Sequence, residues 1–224
     1  NKIARALINV SKVPIAAPSA NTSGKPSPTK ASHVIEDLQG KIDMVLDGGS
    51  VLVGLESTVV DVTGDIPMIL RPGGITKEML EEVIGDVLVD PGIISEKVLS
   101  STPKAPGMKY KHYAPKAKIT IVEGRLSDVI TAINRFTKEK QEQSLKVGIM
   151  ATNQTKEGYH GDCILVVGDR NNPETVAAHL FDTLRSFDEA GMDVVFAEAF
   201  PDEKIGFAIM NRLKKAAGYD IVKV

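Results

Sequence analysis

The apolar and polar positions fall into two styles along the chain. Beyond residue 117 they alternate cleanly between strand-like and helix-like periods. Strands are predicted at Ile119–Val122, Lys146–Met150, Ile164–Val167, Val194–Ala197 and Tyr219–Val222, and helices at Leu126–Lys140, Pro173–Glu189 and Ile205–Ala217. Such alternation predicts a small Rossmann-like α/β domain with a mostly parallel sheet and helices on both faces. Before it the pattern is less even. Ile3, Ala4, Leu7, Ile8 and Val10 make a helical stripe with no evident cap. A buried strand at Val13–Pro18 empties into a turn-rich loop, and Ser27-Pro28 predicts the cap of a helix running from Thr29 to Leu38. Further strands are expected at Asp43–Asp47, Ser57–Thr63 and Pro67–Leu70, and Thr76 caps a helix reaching Ile84. Between Asp90 and Pro115 periodicity fails among prolines and cations, as in a linker. The expected division is 1–90, the linker 91–116, and 117–224.

Composition changes this picture little. A net charge of −2 gives no global attraction to nucleic acid or anionic lipid. The lone Cys163 excludes an intramolecular disulfide and fits a reducing, cytoplasmic setting. Its apolar neighbours make it a strand residue rather than a nucleophile. No apolar run reaches the length of a membrane span.

Nucleotide fingerprints mostly fail. Gly24-Lys25-Pro26-Ser27 lacks the earlier glycine of a phosphate loop, and Pro26 stands where a hydroxyl would hold magnesium. The histidines are scattered without metal spacing, with His33 and His179 expected on helix surfaces. Other segments are richer. Pro18-Ser19-Ala20-Asn21 lies where a strand opens into a loop, and reads equally as a ligand contact or a self-capped turn. Ser57 is either the solvent face of an edge strand or the rim of a pocket. Arg71 leaves a strand into Pro72-Gly73-Gly74; an arginine there suits bidentate phosphate contact, or is a surface residue before a turn. Met108 to Pro115 interleaves cations with Tyr110 and Tyr113, which suits a lid over a nucleotide, an RNA-stacking strip or a solvated linker.

Taken together, Pro14 to Asn21, Ser23-Gly24, Ser27-Pro28-Thr29, Glu56 to Asp61 and Leu70 to Gly73 resemble the L-threonylcarbamoyladenylate synthase family. The linker ending His112-Tyr113-Ala114-Pro115, followed by a small α/β domain, is similar to its long two-domain form. The resemblance covers the chain in order and spacing. It implies a YrdC-like α/β catalytic domain whose C-terminal part is residues 1–90. The implied reaction forms threonylcarbamoyl-AMP from ATP, bicarbonate and L-threonine, with Mg²⁺ accompanying ATP. The product passes to a threonylcarbamoyl transferase complex that modifies tRNA. Position by position, the resemblance implies ATP contacts at Ser19, Ser27, Arg71 and Tyr113, and L-threonine contacts at Ala17 and Ser57. Asn21 and Thr58 lie in the same motifs and rank second. The family's basic K-x-R segment has no counterpart in residues 1–13, so about half of an active site is expected here, with the N-terminal part of the catalytic domain lacking. Two other readings stay open: carbamoyl transfer of the hydrogenase-maturation kind, and a non-enzymatic module binding tRNA or RNA through the basic linker.

Overall fold

The computed structural model describes residues 1–94 and 113–224. Helix α1 (Lys2–Ser11) is followed by α2 (Ala31–Leu38), strands β1 (Val59–Asp61) and β2 (Met68–Arg71), helix α3 (Lys77–Ile84), strand β3 (Leu88–Val89) and the short helix α4 (Pro91–Ile94). The second unit runs β4 (Lys118–Glu123), α5 (Leu126–Gln141), β5 (Val147–Thr152), β6 (Cys163–Gly168), α6 (Pro173–Glu189), β7 (Val194–Glu198), α7 (Lys204–Ala216) and β8 (Ile221–Lys223).

In this second unit the five strands lie in the order β6-β5-β7-β4-β8, every pair parallel. The connection through α5 runs one way along the sheet, and those through α6 and α7 run the other. A single crossover hand therefore puts α5 on one face and α6 and α7 on the opposite one. Each face has its own core. Ile133 and Val129 pack with Val147, Ile149 and Phe196 beneath α5. Phe181, Leu184, Ile209 and Leu213 pack with Ile119, Ile121 and Val195 beneath α6 and α7. With both faces covered, β5 is buried at every position, which is why its sequence reads as a continuous apolar run.

The first unit is smaller. Its three strands lie in the order β1-β2-β3, with β1 antiparallel and β3 parallel to β2. Its core of Ile69, Val87 and Ile93 is completed by Phe207 from α7, while Leu55 packs into the larger core of the second unit. The units therefore share apolar surface. All the exposed large apolar side chains among the described residues, save Val166 and Val224, lie at or before Leu88. Helix α1 buries none of its residues. An apolar surface so extensive is the kind that a further apolar element covers.

Several expectations are corrected. Val13–Pro18 and Asp43–Asp47 form no strands, because neither segment has a neighbouring strand with which to pair among the described residues. Helix α2 begins at Ala31, with Lys30 and not Ser27 at its cap, since the Ser27 hydroxyl is spent elsewhere. The first helix does have a cap: the Asn1 side-chain oxygen accepts from the amides of Ile3 (2.9 Å) and Ala4 (3.2 Å). His33 is buried, not on a surface, because α2 packs against α6. His112 and the other linker residues 95–112 lie outside the described residues.

Candidate functional site

Separate stretches of the first unit converge on an open cleft of about 850 Å³. Its walls include Ala17 and Ser19 from the turn-rich loop, Ser27, the segment from Gly49 to Ser57, and Arg71 at the end of β2. Ala17, Ser19, Ser27, Ser57 and Arg71 are thus brought together from positions up to half a domain apart. Asn21 and Thr58 are not in the lining. Asn21 donates to the carbonyls of Thr22 (2.9 Å) and Lys25 (3.3 Å), and Thr58 donates to that of Ile75 (2.5 Å). Both brace the loops behind the wall.

Local chemistry fixes the wall. The Arg71 guanidinium donates to the Ser57 carbonyl from Nε (3.1 Å) and Nη2 (3.0 Å), and Nη2 also reaches the Ser57 hydroxyl (3.3 Å). This fork ties the cation to the serine beside it. Gly73 permits the crossing: a Cβ there would stand 2.3 Å from the Glu56 carbonyl oxygen and 2.4 Å from the Thr58 nitrogen. The Ser27 hydroxyl donates to Glu56 (2.6 Å), whose other oxygen accepts from Arg212 Nε on α7 (2.8 Å). Burial pushes the Glu56 carboxyl upward, but the charge of Arg212 and the bonds from Ser27 and Arg212 outweigh it and hold the group ionised below its usual range.

Tyr113 departs from expectation. It does not line the cleft; it lies buried in the core under α6 and α7, stacked on Phe181 with ring centroids 5.0 Å apart. Its backbone is left-handed (φ 66°) and the Arg212 guanidinium sits 5.6 Å from its ring. Burial raises its phenol to about 12, so it stays protonated and bonds Glu56 from behind the wall. Lys215 joins the same cluster, its ammonium pushed down to about 8 by burial and by the charges of Arg212 and Arg71, with Glu56 opposing.

A second contact group joins α2 to α6. Asp37 accepts from Arg185 (2.7 and 3.2 Å), from Lys25 (2.7 Å) and from the Thr22 amide (3.2 Å). Beside it the His33 ring accepts from the Thr29 amide at Nδ1 (3.2 Å), leaving Nε2–H to face Asp182 at 3.0 Å. Burial, then the Arg185 charge, lowers the His33 pKa, with Asp182 partly opposing and Lys30 adding to the fall.

These groups give a signed pH dependence. His33 resists protonation when folded, so stability falls as pH drops below its ordinary 6.5. Glu56 and Asp37 titrate below their ordinary 4.5 and 3.8, so their contribution is lost only as pH falls further. Melting temperature followed against pH is expected to decline in two stages. The first stage should vanish in His33→Gln while the second persists. A single decline, unchanged by His33→Gln, would show that His33 does not titrate with folding.

A family model described as "Threonylcarbamoyl-AMP synthase, C-terminal domain" matches residues 75–218. The chain belongs to the threonylcarbamoyl-AMP synthase family. A second model, described as "Telomere recombination", matches residues 1–73. Threonylcarbamoyl-AMP synthase of Bacillus subtilis is 49% identical over 221 residues, covering 99% of this chain and 62% of that protein. Its counterpart in Pyrococcus abyssi is 46% identical over 224 residues, covering all of this chain and 64% of the relative. The solved structure of P. abyssi Sua5 complexed with L-threonine superposes with a TM-score of 0.91 at 45% identity, covering 100% of this chain and 64% of that one. The chain therefore spans less than two thirds of the length of these threonylcarbamoyl-AMP synthases. The mixed α/β fold of the family, with its mostly parallel five-stranded sheet, is present.

Sequence reasoning missed Glu56, Arg185 and Arg212 as contributors to the site. For Arg212 a signal existed. It falls on the stripe Ile205, Ile209, Arg212, Ala216, whose other members are apolar and buried. A cation on an apolar stripe demands a buried partner.

Proposed function

We propose that this chain supplies ATP- and L-threonine-binding walls for the formation of threonylcarbamoyl-AMP. One observation carries the reading: Ala17, Ser19, Ser27, Ser57 and Arg71, implied by resemblance as ligand contacts, all face one cleft. A related structure at TM-score 0.91 was solved with L-threonine, which supports threonine as one occupant. The match of residues 75–218 to the synthase C-terminal domain favours this activity over carbamoyl transfer. Residues 1–90 form the cleft, 91–116 the linker, and 117–224 the supporting domain.

In this reading the threonine amine takes up carbon dioxide from bicarbonate as a carbamate, with loss of water. A carbamate oxygen then attacks the α-phosphorus of ATP, and the bond to pyrophosphate breaks. Such a displacement asks for alignment and charge neutralisation more than for a protein base. Arg71, tied to Ser57, sets a cation beside the threonine wall, where negative charge on the phosphoryl group builds up. Ala17 contributes its backbone, and Ser57 its hydroxyl, to threonine. Ser19 and Ser27 contact the nucleotide. Tyr113 acts through Glu56, behind the wall. Among the described residues no cluster of three or more His, Cys, Asp or Glu side chains is arranged to hold a metal, and Glu56 is taken up by Ser27 and Arg212. In this reading Mg²⁺ accompanies the ATP phosphates as part of the substrate. The mixed-anhydride product passes to the tRNA-modifying transferase complex. Among the described residues no helix is long and apolar enough to cross a membrane, and the compartment we assign is the cytoplasm.

Calorimetric titration with ATP·Mg²⁺ and with L-threonine tests this. With Nε and Nη2 held by Ser57, the Arg71 contact to phosphate counts as a single charged one. Losing a hydrogen bond to a charged group corresponds to roughly 10- to 100-fold in affinity, so Arg71→Ala is expected to weaken ATP binding by that factor. Equal ATP affinity in the Arg71→Ala variant would sink the assignment of Arg71.

A further inference from the structure

Each of three cleft residues has a neighbour gripped from the second unit. Ser27 follows Pro26, whose carbonyl accepts from Arg185 Nη2 (2.7 Å) and Nε (3.1 Å). Ser57 follows Glu56, which accepts from Arg212 Nε (2.8 Å), and Arg71 precedes Pro72, whose carbonyl accepts from Arg212 Nη2 (2.7 Å). Both arginines are buried, and neither lines the cleft. Arg212 is fully enclosed and also donates from Nη1 to the Asn211 side-chain oxygen (2.8 Å). A guanidinium has five donors in a rigid plane, so one side chain can hold two loops in fixed relation.

We infer that Arg212 and Arg185 are positioning residues for the cleft, setting Ser27, Ser57 and Arg71 in one geometry by gripping the residue next to each. The inference rests on the reading of the cleft as the nucleotide and threonine site. Helix α7 supplies the link between the two halves of the wall, because the Glu56 and Pro72 contacts belong to one side chain. The relay also sets the polarity of Ser27. Glu56 is ionised and can only accept, so the Ser27 proton points at it. The Ser27 oxygen is then left as an acceptor toward the cleft. Its partner on a nucleotide is a donor, a ribose hydroxyl or the adenine amine, and not a phosphate oxygen.

Two measurements on the full chain judge this. The first needs no ligand: amide hydrogen exchange in Arg212→Lys and Glu56→Gln, the latter breaking the same link without altering α7. Exchange over residues 19–27 and 71–74 is expected to quicken several-fold while strands β4 to β8 keep their protection. Unchanged exchange in those loops overturns the brace. The second is a double-mutant cycle on ATP affinity. Ser27→Ala is expected to weaken binding several-fold in the parent chain and to have almost no further effect in Arg212→Lys. Equal Ser27→Ala effects in both backgrounds would overturn the relay. If the parent chain takes up neither ATP nor L-threonine, the reading of the cleft fails, and the exchange result still decides the brace.

Discussion

The Gly54→Ala variant is expected to unseat the cleft wall from helix α6. Gly54 has φ 76°, and a Cβ there would stand 2.3 Å from the Ala177 carbonyl oxygen and 2.6 Å from the Ala178 Cα. Both are helix backbone, so no rotamer change relieves the clash. The left-handed conformation costs alanine about 1 kcal/mol, and overpacking against rigid neighbours adds about 1–3 kcal/mol. The neighbouring Leu55 would lose its seat in the second unit's core, and Glu56 would shift away from Arg212. Thermal unfolding is the measurement. A loss of about 2–4 kcal/mol corresponds to roughly 4–16 °C for a chain of this size. A melting point unchanged from the parent would mean that the segment does not lie against α6.

Asp37→Ala is expected to be at least as damaging. The Asp37 side chain is wholly buried and receives Arg185, Lys25 and the Thr22 amide. Removing it strands the Arg185 guanidinium, only 4% exposed, with the Pro26 carbonyl and a longer 3.4 Å contact to Glu36. Breaking one partner of a buried ion pair typically costs about 3–5 kcal/mol. Asp37→Asn keeps the shape and removes the charge, so comparing the two by denaturant unfolding separates charge from packing. If both variants melt like the parent, the α2–α6 contact contributes nothing to stability.

The second unit was largely legible because its strands are buried on both faces. Helix α6 runs Pro173–Glu189 as its pattern predicts, opened by a proline in the first turn. The first unit was harder to read. Val13–Pro18 and Asp43–Asp47 have the composition of buried strands, yet Val13, Ile15, Met44 and Leu46 are exposed among the described residues. Composition reports what a segment can pair with, not whether the pairing partner is at hand. The cleft was legible through resemblance: Ala17, Ser19, Ser27, Ser57 and Arg71 meet there, whereas local pattern left Ser57 and Arg71 ambiguous. Tyr113 does not line the cleft: its ring stacks on Phe181 in the core beneath α6 and α7, a contact with a distant helix that its neighbours in sequence do not dictate. Burial of His33 follows from Asp182 on another helix, which α2 alone cannot reveal.

The reach of the two arginines also bears on how the chain is made. Arg185 lies 159 residues after Pro26, and Arg212 lies 156 after Glu56. A ribosome builds from the N-terminus, so the cleft loops emerge long before the helices that hold them. Within residues 118–223 only the β5–β6 pairing closes over a short stretch, Gly148 to Cys163, whereas Ile121 pairs with Ile221 near the end of the chain, so the supporting sheet also closes late. The nascent first unit, with its small core of Ile69, Val87 and Ile93 still short of Phe207, must stay unfinished until α7 has been synthesised. A ribosome stalled before residue 212 would thus carry an unset cleft.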